Sequence, residues 1–473
     1  MPDPTPDLLF LGPYDVALIL LYLAGVLFIG FRAAWRHRGK QDQYLVAGRS
    51  LTLPVFVATL VSTWYGGILG VGEFAWSFGL STWVVFGVPY YLFAGVYAFV
   101  LAPRIRRSGV VSLPDKLEEV YGRPAALTGG VLTFLLVNPA PYVLMLGLLG
   151  QMFFGGGLFQ YILIGALVSA VFLFFGGLRS GVNTNVFEFV LMYLGFAVLL
   201  LTAVSAEGGV SFLTDRLPET HLTAFGEHSP QYIAVWFFIA LWTIVDPSFH
   251  QRCAAAKNER TARNGILVSI VFWFLFDMMT ITTGIYARAY LPNLEHPALA
   301  YPELANLMLS EGILGLFYVG LLATVMSTLT SMTLLAGLTA GRDVAARWLG
   351  RSDERSIKRW VQVGLFLAMV LSVTLAWLLP SVVKLWYAVG TALIPGLLLP
   401  VLSAYNYRLW IAGPEAVFTM IAGSLVSTTC LILGYSVSLV NPEYPFGLEP
   451  IIPGLVVSVL LWSVFLTRKG NPL

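Results

Sequence analysis

The sequence predicts an all-α polytopic membrane protein with thirteen spanning helices, and three observations carry that prediction. Of 473 residues, 58% are apolar and 11% are charged, less than half the roughly 25% charge of a soluble domain. The apolar residues gather in thirteen segments, each close to the roughly 20 residues that one helical crossing needs. With the N-terminus placed outside, 24 of the 27 Lys and Arg residues fall in loops on one side of those segments, the asymmetry expected of cytoplasmic loops.

In chain order the segments are 14–30, 51–78, 83–101, 125–153, 159–175, 182–204, 232–249, 266–290, 312–340, 360–379, 382–405, 416–440 and 451–466. The inward groups of charge include Arg104, Arg106 and Arg107, then Arg252 to Arg263, then Arg342 to Arg359. Only Arg216, Arg288 and Lys384 fall outside. Adding or removing one segment scrambles this alternation, so the expected topology is N-terminus out and C-terminus cytoplasmic in the plasma membrane. The segments are twice the length of a barrel strand, which excludes a β-barrel. The longest loop, 206–231, is acidic and too short for a core. The chain therefore reads as one membrane domain over 1–473, with membrane lipid around it, no nucleic-acid partner and a monomeric state. Residues 1–13 lack the basic region of a cleavable signal peptide.

Several segments carry break signals, and backbone that leaves the helix inside a membrane must line a cavity or be buried in protein. The second reads Ser62-Thr63-Trp64-Tyr65-Gly66-Gly67. The fourth holds Asn138-Pro139-Ala140-Pro141, followed by Tyr142. The seventh holds Asp246-Pro247 and the eleventh Gly390 and Pro395-Gly396. Breaks five segments apart point to a transporter site between two repeats, here segments two to six and seven to eleven. No residue-level repeat accompanies them.

Four acids, Glu73, Glu188, Asp246 and Asp277, lie inside segments. An intramembrane acid is costly and is a functional candidate by default. For Asp246 the alternatives are an ion pair with Arg252 or a cap on the helix after Pro247. For Asp277 they are a structural hydrogen bond or a ligand for the solute. The ninth segment holds Thr324, Ser327, Thr328, Thr330, Ser331 and Thr333. Residues 324, 327, 328 and 331 share one helical face. Back-bonding to their own helix explains isolated hydroxyls, whereas four on one face suit a hard cation. Cys253 and Cys430 have no metal-ligand spacing. The five histidines form no HExxH, and GxSxG is absent, so no enzyme is expected.

Four stretches resemble the sodium:solute symporter family. They are Gln43-Tyr44-Leu45-Val46-Ala47-Gly48-Arg49-Ser50; Gly176-Gly177-Leu178 with Asn183-Thr184-Asn185-Val186-Phe187-Glu188; Gln251-Arg252 with Ala254-Ala255-Ala256-Lys257; and Met326-Ser327-Thr328-Leu329 with Gly341-Arg342-Asp343. The resemblance implies a LeuT-type fold. A peripheral first helix (14–30) would precede a ten-helix core (51–405), with two peripheral helices (416–466) after it. It implies sodium-coupled symport of a small organic solute such as an amino acid, sugar or carboxylate. The sodium would bind the carbonyls of Ser62 and Tyr65 together with Thr324, Ser327 and Thr328. A second sodium position would fall at Asn185, Thr330 and Ser331, where Asn185 replaces the family's aspartate and Glu188 lies one turn away on the same face. Around the solute, the expected residues are Trp64, Gly66, Gly67, Glu73, Tyr142, Trp242, Asp246 and Asp277. Trp64 stands where proline symporters carry an acid. Proton coupling through Glu188 or Asp277, and a sensor of the same fold, are the alternatives.

Overall fold

A computed structural model of the protein describes residues 11–36, 47–207, 209–437 and 442–467. The first half of the 43–50 motif therefore lies outside the described residues. Every extended element among them is a helix, and the lone β-bridge joins Leu51 to Ala256. Among the described residues ten helices are long and apolar enough to cross a membrane, and Pro13–Ile29, Leu158–Leu167 and Ile451–Leu466 are shorter apolar helices. Helix length thus supports ten crossings where the sequence predicts thirteen.

The breaks in segments two, four and seven are present. Helix Leu53–Ser62 gives way at Thr63 and Trp64 to a 3-10 turn, Tyr65–Gly67, before helix Ile68–Phe78 resumes. Helix Arg123–Leu136 stops before Asn138-Pro139, and Ala140–Phe154 continues from it. The Asn138 side chain accepts from the Ala140 N–H at 3.0 Å, which satisfies a donor that the break exposes. In the seventh segment Asp246 adopts an extended conformation between Trp242–Val245 and Pro247–Ala255.

Two expectations require correction. The eleventh segment is one unbroken helix, Val382–Ala404, with Pro395 and Pro400 inside it. Neighbouring helices absorb the irregularity. The Ser458 hydroxyl donates to the Pro395 carbonyl at 2.7 Å, and a Cβ on Gly396 would lie 2.3 Å from the Ser424 hydroxyl. Pro395-Gly396 marks a packing seam, as neighbouring side chains allow for prolines in membrane helices. The second correction concerns segments five and six, which form one continuous helix, Leu158–Glu207, through the expected loop around Arg179. No proline interrupts that stretch, and a glycine lowers helix stability by only about 1 kcal/mol. The side chains of 168–181 lie outside the described residues, so the Gly176-Gly177-Leu178 motif is placed by its backbone alone.

Burial identifies the centre of the molecule. The apolar windows of Leu53–Phe78 and Ile313–Ala346 are 89% buried, against 39% for Trp83–Val100, Glu354–Leu378 and Gly413–Val437. A helix that is apolar all round and buried belongs to the core. The second and ninth segments form that core and bring the break at 63–64 against the hydroxyl-rich stretch of the ninth.

Candidate sodium site and solute cavity

The ninth helix, Ile313–Leu338, presents its hydroxyls to the break in the second. The Ser327 hydroxyl lies 2.8 Å from the Ser62 carbonyl oxygen and 3.0 Å from the Thr324 carbonyl oxygen. The Thr328 hydroxyl lies 3.4 Å from the same two carbonyls. Each hydroxyl has a single proton, so two protons are shared among four neighbouring oxygens. The excess of acceptor capacity, all from neutral oxygens, suits a hard cation. Thr324 contributes its carbonyl to this group, while its hydroxyl donates back to Gly320 at 2.7 Å. All four side chains, Ser62, Thr324, Ser327 and Thr328, are fully buried.

Glycine is required where these helices meet. A Cβ on Gly66 would fall 2.1 Å from the Thr328 Cβ, so any larger residue would displace that hydroxyl. Gly66 is therefore a spacer against the cation site and does not line the cavity. Tyr65 is buried, and its hydroxyl donates to the Trp273 carbonyl at 2.7 Å. That bond pins the 3-10 turn to the eighth segment, helix Glu259–Tyr290.

Around the second candidate locus, the Asn185 amide donates to the Ser331 hydroxyl at 3.4 Å. Thr330 turns its hydroxyl to its own helix, at Met326 and Ser327. Glu188 is buried and accepts from the Tyr22 hydroxyl of the first helix at 3.0 Å. Asn185 and Ser331 thus meet, while the described contacts of Glu188 and Thr330 turn elsewhere.

A cavity of about 110 Å³ opens beside the cation site. It is walled by the breaks of segments two, four and seven, with further walls from the third, eighth, ninth, tenth and eleventh. Of the eight expected solute residues, Trp64, Gly67, Tyr142, Trp242, Asp246 and Asp277 line it. Glu73 does not; it sits half-buried on helix Ile68–Phe78, beyond the cavity wall. Trp64 is held by three rings, with centroids 5.0 Å from Tyr90, 5.0 Å from Trp273 and 5.5 Å from Phe249. Trp386 packs directly on Gly67, where a Cβ would be 1.6 Å from its ring.

The alternatives for Asp246 now separate. Its carboxylate accepts from the Ser248 N–H at 2.6 Å and caps helix Pro247–Ala255. Arg252 forms no ion pair with it among the described residues; its guanidinium donates to the Ser248 carbonyl at 3.1 Å and to the Thr63 hydroxyl at 2.8 Å. Arg252 thereby ties the seventh segment to the break in the second. Asp277 accepts from the Tyr91 hydroxyl, so the expected cross-helix hydrogen bond comes from a tyrosine of the third segment.

A network of charges ties helix Leu113–Tyr121 to the stretch that follows the ninth helix. Ser112 and Asp115 form a capping box on helix Leu113–Tyr121. Arg342 reaches Asp115 at 2.8 Å and the Ser112 hydroxyl at 3.2 Å. Arg347 also bonds Asp115 and lies 2.9 Å from Glu118. Burial acts to raise the Asp115 carboxyl, but Arg342 and Arg347 outweigh it and hold the group below the usual carboxylate range. His250 and the Tyr405 hydroxyl meet at 2.6 Å in the same layer.

The family model for the sodium:solute symporter family matches residues 44–423. The chain belongs to the sodium:solute symporter family. Among curated relatives, a sodium/proline symporter of Staphylococcus aureus (strain JH9) is 24% identical over 485 residues, covering 96% of this chain and 92% of the relative. Among solved structures, a Na+-coupled sialic acid symporter in a substrate-bound outward-open state superposes with a TM-score of 0.80 at 14% identity. It covers 97% of this chain and 99% of that one. A nucleobase-cation-symport-1 family transporter in a closed conformation, with bromovinylhydantoin bound, gives a TM-score of 0.50 at 14% identity and covers 99% of this chain and 95% of that one. The fold is all-α and LeuT-type, and the symporter is a multi-pass plasma-membrane protein.

Proposed function

We infer that the protein imports a small organic solute together with sodium, by alternating access. The observation that carries this reading is the sharing of one broken stretch by two functions. Ser62 gives its carbonyl to the hydroxyl cluster of the ninth helix, and the next residues, Thr63 to Tyr65, line the solute cavity. A cation held by Ser62, Thr324, Ser327 and Thr328 would fix the second and ninth helices together and set the position of Trp64. Solute on Trp64 would in turn hold the break in the form that binds the cation. Each ligand then strengthens the other by the same free energy. No covalent step is involved.

Net import requires that the sites face each side in turn. In the proposed orientation the Arg342, Arg347 and Asp115 network lies on the cytoplasmic side and would have to open for release. Orientation is part of the proposal: N-terminus outside and C-terminus cytoplasmic, the arrangement for which the sequence's thirteen apolar segments leave 24 of 27 basic residues on one side. A single sodium per cycle fits the amide at 185, which turns a donor toward Ser331. The protein is proposed to act as a monomer surrounded by lipid.

Reconstituted protein tests this reading. An inward sodium gradient should drive solute accumulation, and replacing sodium by potassium should abolish it. Accumulation driven equally well by a proton gradient in potassium would reject sodium coupling.

A further inference from the structure

We propose that the solute is a small organic cation, an amine or quaternary ammonium, received by Asp277 within an aromatic enclosure. This rests on the reading of the cavity as the solute site. Two carboxylates, Asp246 and Asp277, line the cavity, and among the described residues no Lys, Arg or His does. Asp246 is already engaged as a helix cap by the Ser248 N–H. Asp277 has no basic partner within ion-pair distance among the described residues; it accepts from the neutral Tyr91 hydroxyl, and the neutral Tyr65 hydroxyl, which donates to the Trp273 carbonyl, lies beside it. An ionised carboxylate has about four acceptor positions, so two phenols leave about half of its capacity for a ligand. A charge so deep in a membrane protein faces a partner or a cavity rather than lipid.

The walls around it fit the same ligand. Trp64, Tyr90, Tyr142, Trp242 and Trp386 line the cavity, and the faces of such rings attract ammonium groups. Trp64 is fixed by its three neighbours, so the enclosure is formed before the ligand arrives. Asn138 adds a neutral polar residue to the cavity lining. It is buried, its Oδ1 is taken by the Ala140 N–H and the Ser372 hydroxyl, and its Nδ2 has no partner among the described residues. A carboxylate-bearing solute would enter between two aspartates with no base to receive it. The cavity therefore selects against anions and disfavours zwitterions, which separates it from a plain amino-acid site.

Matched probes test the charge without requiring any variant. Purified full-length protein in sodium is titrated with choline, its neutral isostere 3,3-dimethylbutan-1-ol, ethanolamine and L-proline, and ligand protection is read as a thermal shift. Choline or ethanolamine should bind at least about tenfold more tightly than the neutral alcohol and than L-proline, a gap of about 1.4 kcal/mol. Asp277→Asn should remove that preference, and Tyr91→Phe, which keeps the carboxylate, should retain it. The proposal is overturned if the neutral alcohol matches choline, if L-proline binds more tightly than both cations, or if neither cation gives protection. Sodium-induced stabilisation without solute, lost in Ser327→Ala, is measured in the same experiment. Its presence with no ammonium preference would reject the cation proposal and leave sodium symport standing; its absence would reject the sodium site itself.

Discussion

Ser327→Ala removes one oxygen from a group of four. The Ser327 hydroxyl is the closest bridge between the two helices, at 2.8 Å from the Ser62 carbonyl. Interactions of a polar group with a charge are worth about 1.5–3 kcal/mol. Loss of one ligand should therefore raise the half-saturating sodium concentration roughly 10- to 150-fold. Folding should suffer far less, because the alanine fits the same space and the lost bond, shared between the Ser62 carbonyl of the second segment and the Thr324 carbonyl of its own helix, is worth about 1 kcal/mol. The assay is initial uptake into proteoliposomes against external sodium at constant ionic strength, with potassium as replacement. Thr328→Ala should act in the same direction. Thr330→Ala is the control, since that hydroxyl bonds its own helix at Met326 and Ser327, and its sodium dependence should be unchanged. Unaltered sodium half-saturation in both Ser327→Ala and Thr328→Ala would refute the reasoning.

Four further outcomes follow from the geometry. Gly66→Ala should weaken sodium activation about as much as Thr328→Ala, because its Cβ would displace Thr328; normal sodium dependence in a folded Gly66→Ala protein would contradict that packing. Asn185→Asp should add sodium binding next to Ser331, visible as a Hill coefficient that rises above the wild-type value of about one expected for a single site; a wild-type coefficient near two would count against the single-sodium reading. Asp246→Asn should cost about 1 kcal/mol or less through the cap and shift solute affinity less than Asp277→Asn; the reverse order would reassign the two acids. Asp115 is held below its ordinary value by Arg342 and Arg347, so its contribution is present above that value and is lost as pH falls through the lowered one. The difference in melting temperature between wild type and Asp115→Asn should thus shrink as pH falls below about 4; a difference that stays unchanged at lower pH would contradict the pairing of Asp115 with Arg342 and Arg347.

The sequence allowed the breaks in segments two, four and seven to be read because glycine, proline and Asp-Pro leave local marks. It misplaced the eleventh because the fate of Pro395 depends on Ser458, 63 residues away. The continuous helix Leu158–Glu207 was hidden for a related reason: Gly176-Gly177 and Arg179 resemble a turn, yet nothing in them forbids a helix. The hydroxyl face of the ninth segment was visible by spacing alone. That Thr324 offers its carbonyl while its hydroxyl turns away was not, since both are compatible with the same helix. Glu73 counted as a cavity candidate because an acid in an apolar run is conspicuous, but its position along the helix carries it past the cavity wall. Tyr90, Tyr91 and Trp386 went unnoticed for the opposite reason. An aromatic residue in an apolar segment has the same signature whether it faces lipid or a solute, and only the packing of the third and eleventh segments against the break distinguishes the two.

Equilibrium binding of radioactive sodium to the purified protein tests the central claim most directly, because it requires no knowledge of the solute. The account predicts saturable binding at one site, not displaced by potassium and lost or strongly weakened in both Ser327→Ala and Thr328→Ala. Absence of saturable sodium binding, or binding unchanged in both variants, would contradict it.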